Sequence, residues 1–204
     1  KDEPDKKAPT IQSSLQLKLS GYAQMQAAWK SEGNDTYSIR RARLSLGGQV
    51  LKTLKFKIQL DFTRSPALLD AQAEFTPTQV ISLRAGQFLV PFSLENITSS
   101  SDLLTVNRSQ VVEKLVPGRD NGSAGRDLGA AVFGSYSIFF FFFCLFNGSG
   151  ANKADTNDRK DLAGRLVAHP WKPLSLAFSI YNGKQTVSDS PVLIRRNRYG
   201  LELA

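Results

Sequence analysis

The chain has one cysteine, one histidine and no long hydrophobic run. The lone Cys144 can form no intrachain disulfide, and no thiol metal site can be built from cysteines alone. In its apolar stretch it reads as inert packing. His169 has no second histidine for a zinc-protease pair, and any Ser-His-Asp triad would have to use it. Gly148-Ser149-Gly150 lacks the next glycine of a dinucleotide-binding turn and precedes no helical pattern, so it reads as a simple turn. No paired nucleophile and base emerges, so the sequence offers no catalytic residue, no metal ligand set and no cofactor site, and an enzyme is not expected. The longest apolar run, Ile138 to Phe146, is nine residues, where a helical span needs about 20. The N-terminal stretch is polar, without the apolar segment of a signal peptide. Either a signal has been removed or the chain is cytoplasmic. Acidic side chains are in short supply: 18 Asp+Glu stand against 26 Lys+Arg, a formal charge of +8. That excess favours an anionic partner, whether nucleic acid, a membrane surface or small anions.

What the sequence does have is alternation. Residues 1–14 read as a flexible lead-in. From Leu15, apolar residues (Leu15, Leu17, Leu19, Ala23, Met25, Ala27) occupy odd positions, with Gln16, Lys18, Ser20, Gln24 and Gln26 between them. This period of two predicts a strand with one apolar and one polar face, much longer than the usual strand of about 5–6 residues. The pattern returns around Ala42–Val50, Leu54–Phe62, Leu69–Phe75 and Ile81–Ala85. It resumes from Leu128, Leu162, Leu174 and Tyr199, giving about ten strands. Between them, residues 91–126 are polar, weakly periodic and rich in turn formers, a loop length that is usually functional or disordered. A soluble antiparallel sandwich also has one apolar face per strand. The strand length and the one-sided charge favour instead a transmembrane antiparallel β-barrel, with lipid on one side and an aqueous lumen on the other.

Phe139 to Phe143 break the rule, because a strand must send such a run to both faces. A strand covered on both sides, a segment without stable pairing and a sequence error all fit, and no function follows from the run.

The informative constellation is cationic. Arg41, Arg43, Lys55, Lys57, Arg84 and Arg165 share the polar phase of their strands, as do Lys18, Arg196 and Arg198. Asp61, Asp70, Glu74 and Glu202 are the fewer acids on that phase. Arg and Lys rings suit an anion or phosphate pore, and the planar guanidinium suits oxyanions. A solvated basic face without selectivity, as in a general porin, is the alternative. Nucleic acid is not an expected partner, because the aromatics lie mainly on the other phase.

Several motifs together resemble the phosphate-selective porin family of the O and P type. They include Ile39-Arg40-Arg41-Ala42-Arg43-Leu44 with Gly47-Gly48, and Leu54-Lys55-Phe56-Lys57 leading to Asp61-Phe62. Gly86-Gln87-Phe88, Pro91-Phe92-Ser93-Leu94-Glu95, Thr98-Ser99-Ser100, Arg108, Pro117-Gly118-Arg119 and Asp161-Leu162-Ala163-Gly164-Arg165 extend the likeness. The resemblance implies a bacterial outer-membrane barrel of 16 strands, normally a homotrimer in contact with lipid and lipopolysaccharide. It implies that the loop at 91–126 folds inward to narrow the pore. With about ten strands present, residues 15–204 are expected to be the N-terminal part of a longer barrel. By position, Arg40, Arg41, Asp70 and Arg108 match the family's anion site. Tyr22 stands where an arginine is expected and Asn96 where a lysine is expected. Arg40 falls on the lipid phase of the alternation, which makes Arg41 the safer lumen residue. The expected function is passive diffusion of small anions, with phosphate as the candidate. A structural or adhesive barrel that anchors surface loops is the competing expectation.

Overall fold

The computed structural model describes residues 15–155, 157–186 and 193–204. The lead-in at 1–14 lies outside the described residues. The chain is built almost wholly of antiparallel strands: β1 (Gln16–Ala28), β2 (Thr36–Leu51), β3 (Leu54–Asp61), β4 (Leu68–Phe75), β5 (Ile81–Leu89), β6 (Arg126–Tyr136), β7 (Phe139–Phe146), β8 (Asp161–Trp171), β9 (Leu174–Asn182) and β12 (Arg198–Leu203). These ten form one sheet in sequence order. Each pairs with its chain neighbour, the up-and-down pattern that short reversals favour. β10 (Lys184–Thr186) and β11 (Leu193–Arg195) make a separate two-stranded ribbon. Two short helices, α1 (Leu94–Ile97) and α2 (Gln110–Leu115), interrupt the long connection at 90–125, where the sequence showed only a polar loop.

Connections alternate in length. Lys52–Thr53, Ser137–Ile138 and Lys172–Pro173 are two-residue turns at one end. The connections after β5, β7 and β9 are long, and all lie at the other end. Several strands reach or exceed the roughly 9–11 residues that cross a bilayer at a tilt, among them β2 with 16, and β6 and β8 with 11 each. No described helix is long and apolar enough to cross a membrane.

The alternation read from the sequence sorts the two faces. Leu19, Met25, Leu83, Leu145, Leu166 and Leu201 are exposed on the outer face. Exposed aromatics gather at both rims of that face. Trp29, Tyr37 and Phe62 sit at the long-loop end, and Phe75, Tyr136 and Trp171 at the short-turn end. Such girdles mark the two membrane–water interfaces of an outer-membrane barrel.

The sheet is rolled around the loop. Laid flat, ten strands would hold β1 and β12 about 43 Å apart. Yet the backbone N–H of Leu94 donates to Glu202 of β12 at 2.9 Å. Six residues on, the backbone oxygen of Ser100 accepts from Gln24 of β1 at 3.3 Å. Six residues reach at most about 21 Å, so both edges must close upon the same loop. The roll is open: β1 and β12 each have one strand neighbour among the described residues.

The core lies between loop and wall, not between two sheets. Val90, Phe92, Val112 and Val116 of the loop pack on Phe88, Ala131, Cys144, Phe146, Ala163 and Tyr181 of the inner wall. Here the phenylalanine run finds its place. Its residues form β7, paired to β6 and β8 over its whole length. Phe139 and Phe143 point outward and are exposed. Phe142 packs against the loop core, stacks on Phe133 with ring centroids 4.6 Å apart and meets Phe140 edge-on. The inner wall is therefore covered where the rings would otherwise be wet. Gly125 closes the base of the loop. It is left-handed, and a Cβ there would stand 2.2 Å from Asn96 Oδ1, so only glycine fits.

Candidate functional site

Period 2 should send Arg40 to the lipid and Arg41 to the lumen. A β-bulge changes this. Gln24 pairs with Arg41, but Met25 pairs with Ile39, leaving Arg40 as the extra residue on β2. A bulge re-aims side chains, and here both arginines face inward. Arg40 Nη1 donates to Gln26 Oε1 at 3.0 Å. Arg41 Nη1 donates to Gln24 Oε1 at 2.6 Å. The lipid-side reading of Arg40 is thus corrected.

Arg43, two residues on, donates through Nε to Asp61 Oδ2 at 2.9 Å. Its Nη1 reaches Tyr22 Oη at 3.1 Å and Ser100 Oγ at 3.2 Å. Tyr22 and Arg43 are direct cross-strand partners, so the uncharged Tyr22 has a guanidinium beside it.

From the loop side comes Arg108, which is buried. Its Nε donates to Glu95 O at 2.9 Å and its Nη2 to Thr98 O at 2.7 Å. Its Nη1 donates to Ser100 Oγ at 3.1 Å. Ser100 thereby accepts from Arg43 of the wall and Arg108 of the loop at once. Burial, and then the neighbouring Arg119 and Arg41 guanidinium groups, push the Arg108 pKa down to about 10. It stays charged at neutral pH, but at a cost that a bound anion would relieve. Burial also pulls Arg119 below the ordinary arginine value, against the opposing pull of Glu113.

These groups enclose a cavity of about 330 Å³, lined by Arg40, Arg41, Arg43, Arg64, Arg108 and Arg119. Asp61 and Glu113 are the carboxylates on its walls, leaving four positive charges in excess. The space equals about ten waters, so a small oxyanion can enter with part of its hydration. Arg40 Nε is buried with no hydrogen-bond partner among the described residues, so this guanidinium is not fully satisfied by the protein.

The other residues singled out in the sequence lie elsewhere. Asp70 is buried away from the cavity. It accepts from Arg126 Nε at 2.6 Å and from Lys57 Nζ at 2.8 Å, so Lys57 is neutralised and Asp70 anchors the loop's return to β6. Arg84 pairs with Glu74 at 3.1 Å and lies over the Phe133 ring at 4.5 Å. Arg165 pairs with Glu202 at 2.6 Å. Lys55 is exposed on the inner face, in register with Glu74. Asn96 is fully buried, donating to Val90 O and accepting from Arg119 Nε, and a cation near its position comes from Arg119 instead. Arg64 and Arg119 escaped the sequence reading as site residues because loops carry no alternation to sort them. Arg119 stood in a recognised motif without a role.

A wall of membrane-length antiparallel strands, apolar outside and basic inside, with aromatic rims and a loop fastened across its lumen, defines the porin class of β-barrel. The chain belongs to the phosphate-selective porin O and P family, whose family model matches residues 17–190. The family is one of channels rather than enzymes. Among curated proteins, sequence comparison finds no match.

Proposed function

We propose that this protein conducts small anions by passive diffusion across the bacterial outer membrane, with phosphate the favoured solute, and that residues 90–125 form its constriction. The reading includes the homotrimer and the lipid and lipopolysaccharide surroundings that the family implies.

One observation carries it. Arg40, Arg41 and Arg108 line a single cavity, and each is held by neutral acceptors alone among the described residues. Elsewhere on the inner face Lys57, Arg84, Arg126 and Arg165 are each closed by a carboxylate. A cation already paired gives little to a passing anion. One oriented by neutral oxygens keeps its charge and its remaining donors, and charge-assisted bonds to an oxyanion are the stronger kind. Burial of the guanidinium groups stays tolerable because all three are hydrogen-bonded.

Reversal potentials in planar bilayers under a KCl gradient test the reading. Chloride preference is expected, and phosphate added to the bath should block the chloride current. Arg41→Glu with Arg108→Glu should reduce or invert the preference. Potassium preference in the wild type would overturn anion conduction. Equal permeability would favour a general porin, and no conductance would favour an anchoring barrel.

A further inference from the structure

Arg40 and Arg41 are neighbours of like charge, and what aligns them stands on the adjacent strand. Gln26 holds Arg40 and Gln24 holds Arg41, at 3.0 and 2.6 Å. Two residues apart on β1, the glutamines share the inner face; Gln24 stands opposite Arg41 in register, and the bulge in β2 turns Arg40 inward to reach Gln26 with its side chain. Gln24 is doubly engaged, since its Nε2 also donates to Ser100 O at 3.3 Å on the loop.

We propose that Gln24 and Gln26 are positioning residues for selectivity, a neutral rack that orients two adjacent guanidinium groups without cancelling their charge. The inference rests on the anion-conducting reading above. An amide oxygen accepts the bond that a carboxylate would accept, yet it carries no net charge. Lys57 with Asp70 shows the alternative outcome on this same inner face, a cation fixed by an acid. Freed of the rack, two long flexible side chains of like charge would splay apart and lose the convergence that an oxyanion needs. The link from Gln24 to Ser100 extends the alignment to the loop, where Ser100 Oγ accepts from Arg43 and Arg108.

The full chain in planar bilayers provides the test, with two readouts: the chloride-to-potassium permeability ratio, and the phosphate concentration that halves the chloride current. Gln24→Met and Gln26→Met keep the bulk and remove the acceptor. Each should raise the half-blocking concentration about tenfold, the loss of one charge-assisted hydrogen bond. Gln24→Glu keeps the acceptor and adds charge. It should lower the permeability ratio at neutral pH and restore it as the pH falls and the new carboxyl protonates. Tyr22, Asp61, Glu113 and the six arginines face the same space. They are common to the wild type, whose own pH profile is the reference. Gln16→Glu places the same charge on the same face at the far end of β1 and should leave phosphate block unchanged. Wild-type block in both Met variants would overturn the rack while leaving anion conduction intact, as would equal effects of Gln16→Glu and Gln24→Glu. Potassium preference in the wild type would instead remove the reading beneath it.

Discussion

At the scale of single residues, partner identity separates the cations. The polar phase shows which side chains point inward, and for Arg41, Arg43, Lys55, Lys57, Arg84 and Arg165 that much is legible in the sequence. Their partners are not, because an ion pair such as Arg126 with Asp70 joins positions 56 residues apart. Asp70 shows what this means for stability. It compensates Arg126 in a buried setting and also takes Lys57. Asp70→Asn should leave the Arg126 guanidinium buried without a countercharge, at a cost of about 3 kcal/mol or more. The urea midpoint of the barrel refolded in lipid vesicles would show the loss. Lys57→Gln, which removes the more exposed partner, should cost less than about 1 kcal/mol. Equal losses would mean that Asp70 does not act chiefly through Arg126.

At the scale of elements, period 2 did most of the work, and its failures have physical causes. The ten strands of the main sheet are long enough for alternation to show. The three-residue strands β10 and β11 and the helices of four and six residues are too short to carry a period. The bulge in β2 hid the direction of Arg40, because one extra residue inverts parity. In β7 phenylalanine fills both faces, so polarity could not sort them, and only the covering loop explains the inward rings. The two faces should still behave differently. Phe142→Ala removes a ring stacked on Phe133 and packed on the loop core and should cost about 3 kcal/mol. Phe143→Ala, on the exposed outer face, should cost less, whereas Phe143→Arg places a charge against lipid and should cost about 2–4 kcal/mol near the midplane. Denaturant titration in vesicles would check the order. A Phe143→Arg variant as stable as the wild type would show that this face does not meet lipid.

At the scale of the whole molecule, the loop and the rolled sheet define one another. The loop touches both edges of the sheet through Gln24 and Glu202. Arg64 donates to its Gly122 O at 2.8 Å, and Asp120 takes Arg196, just before β12, and Arg198, its first residue. The exposed polar contacts contribute little each, and the more buried Asp120–Arg196 pair is a single contact, so the apolar seam of Val112 and Val116 against Phe88, Phe146 and Tyr181 should dominate. Val116→Asp tests this. Val116 is 2 % exposed within an apolar cluster, and burying a carboxylate in such a seam costs more than the valine contributed. The strand ladders do not pass through residue 116, so the cheaper response is for the loop to leave the wall. That would carry Arg108 and Arg119 away from Arg40 and Arg41. The expected result is a larger single-channel conductance with a chloride-to-potassium ratio closer to one, with gel migration before and after heating compared with the wild type to check that the barrel is still folded. Unchanged conductance in Val116→Asp, with the barrel folded, would mean that residues 90–125 do not set the width of the pore.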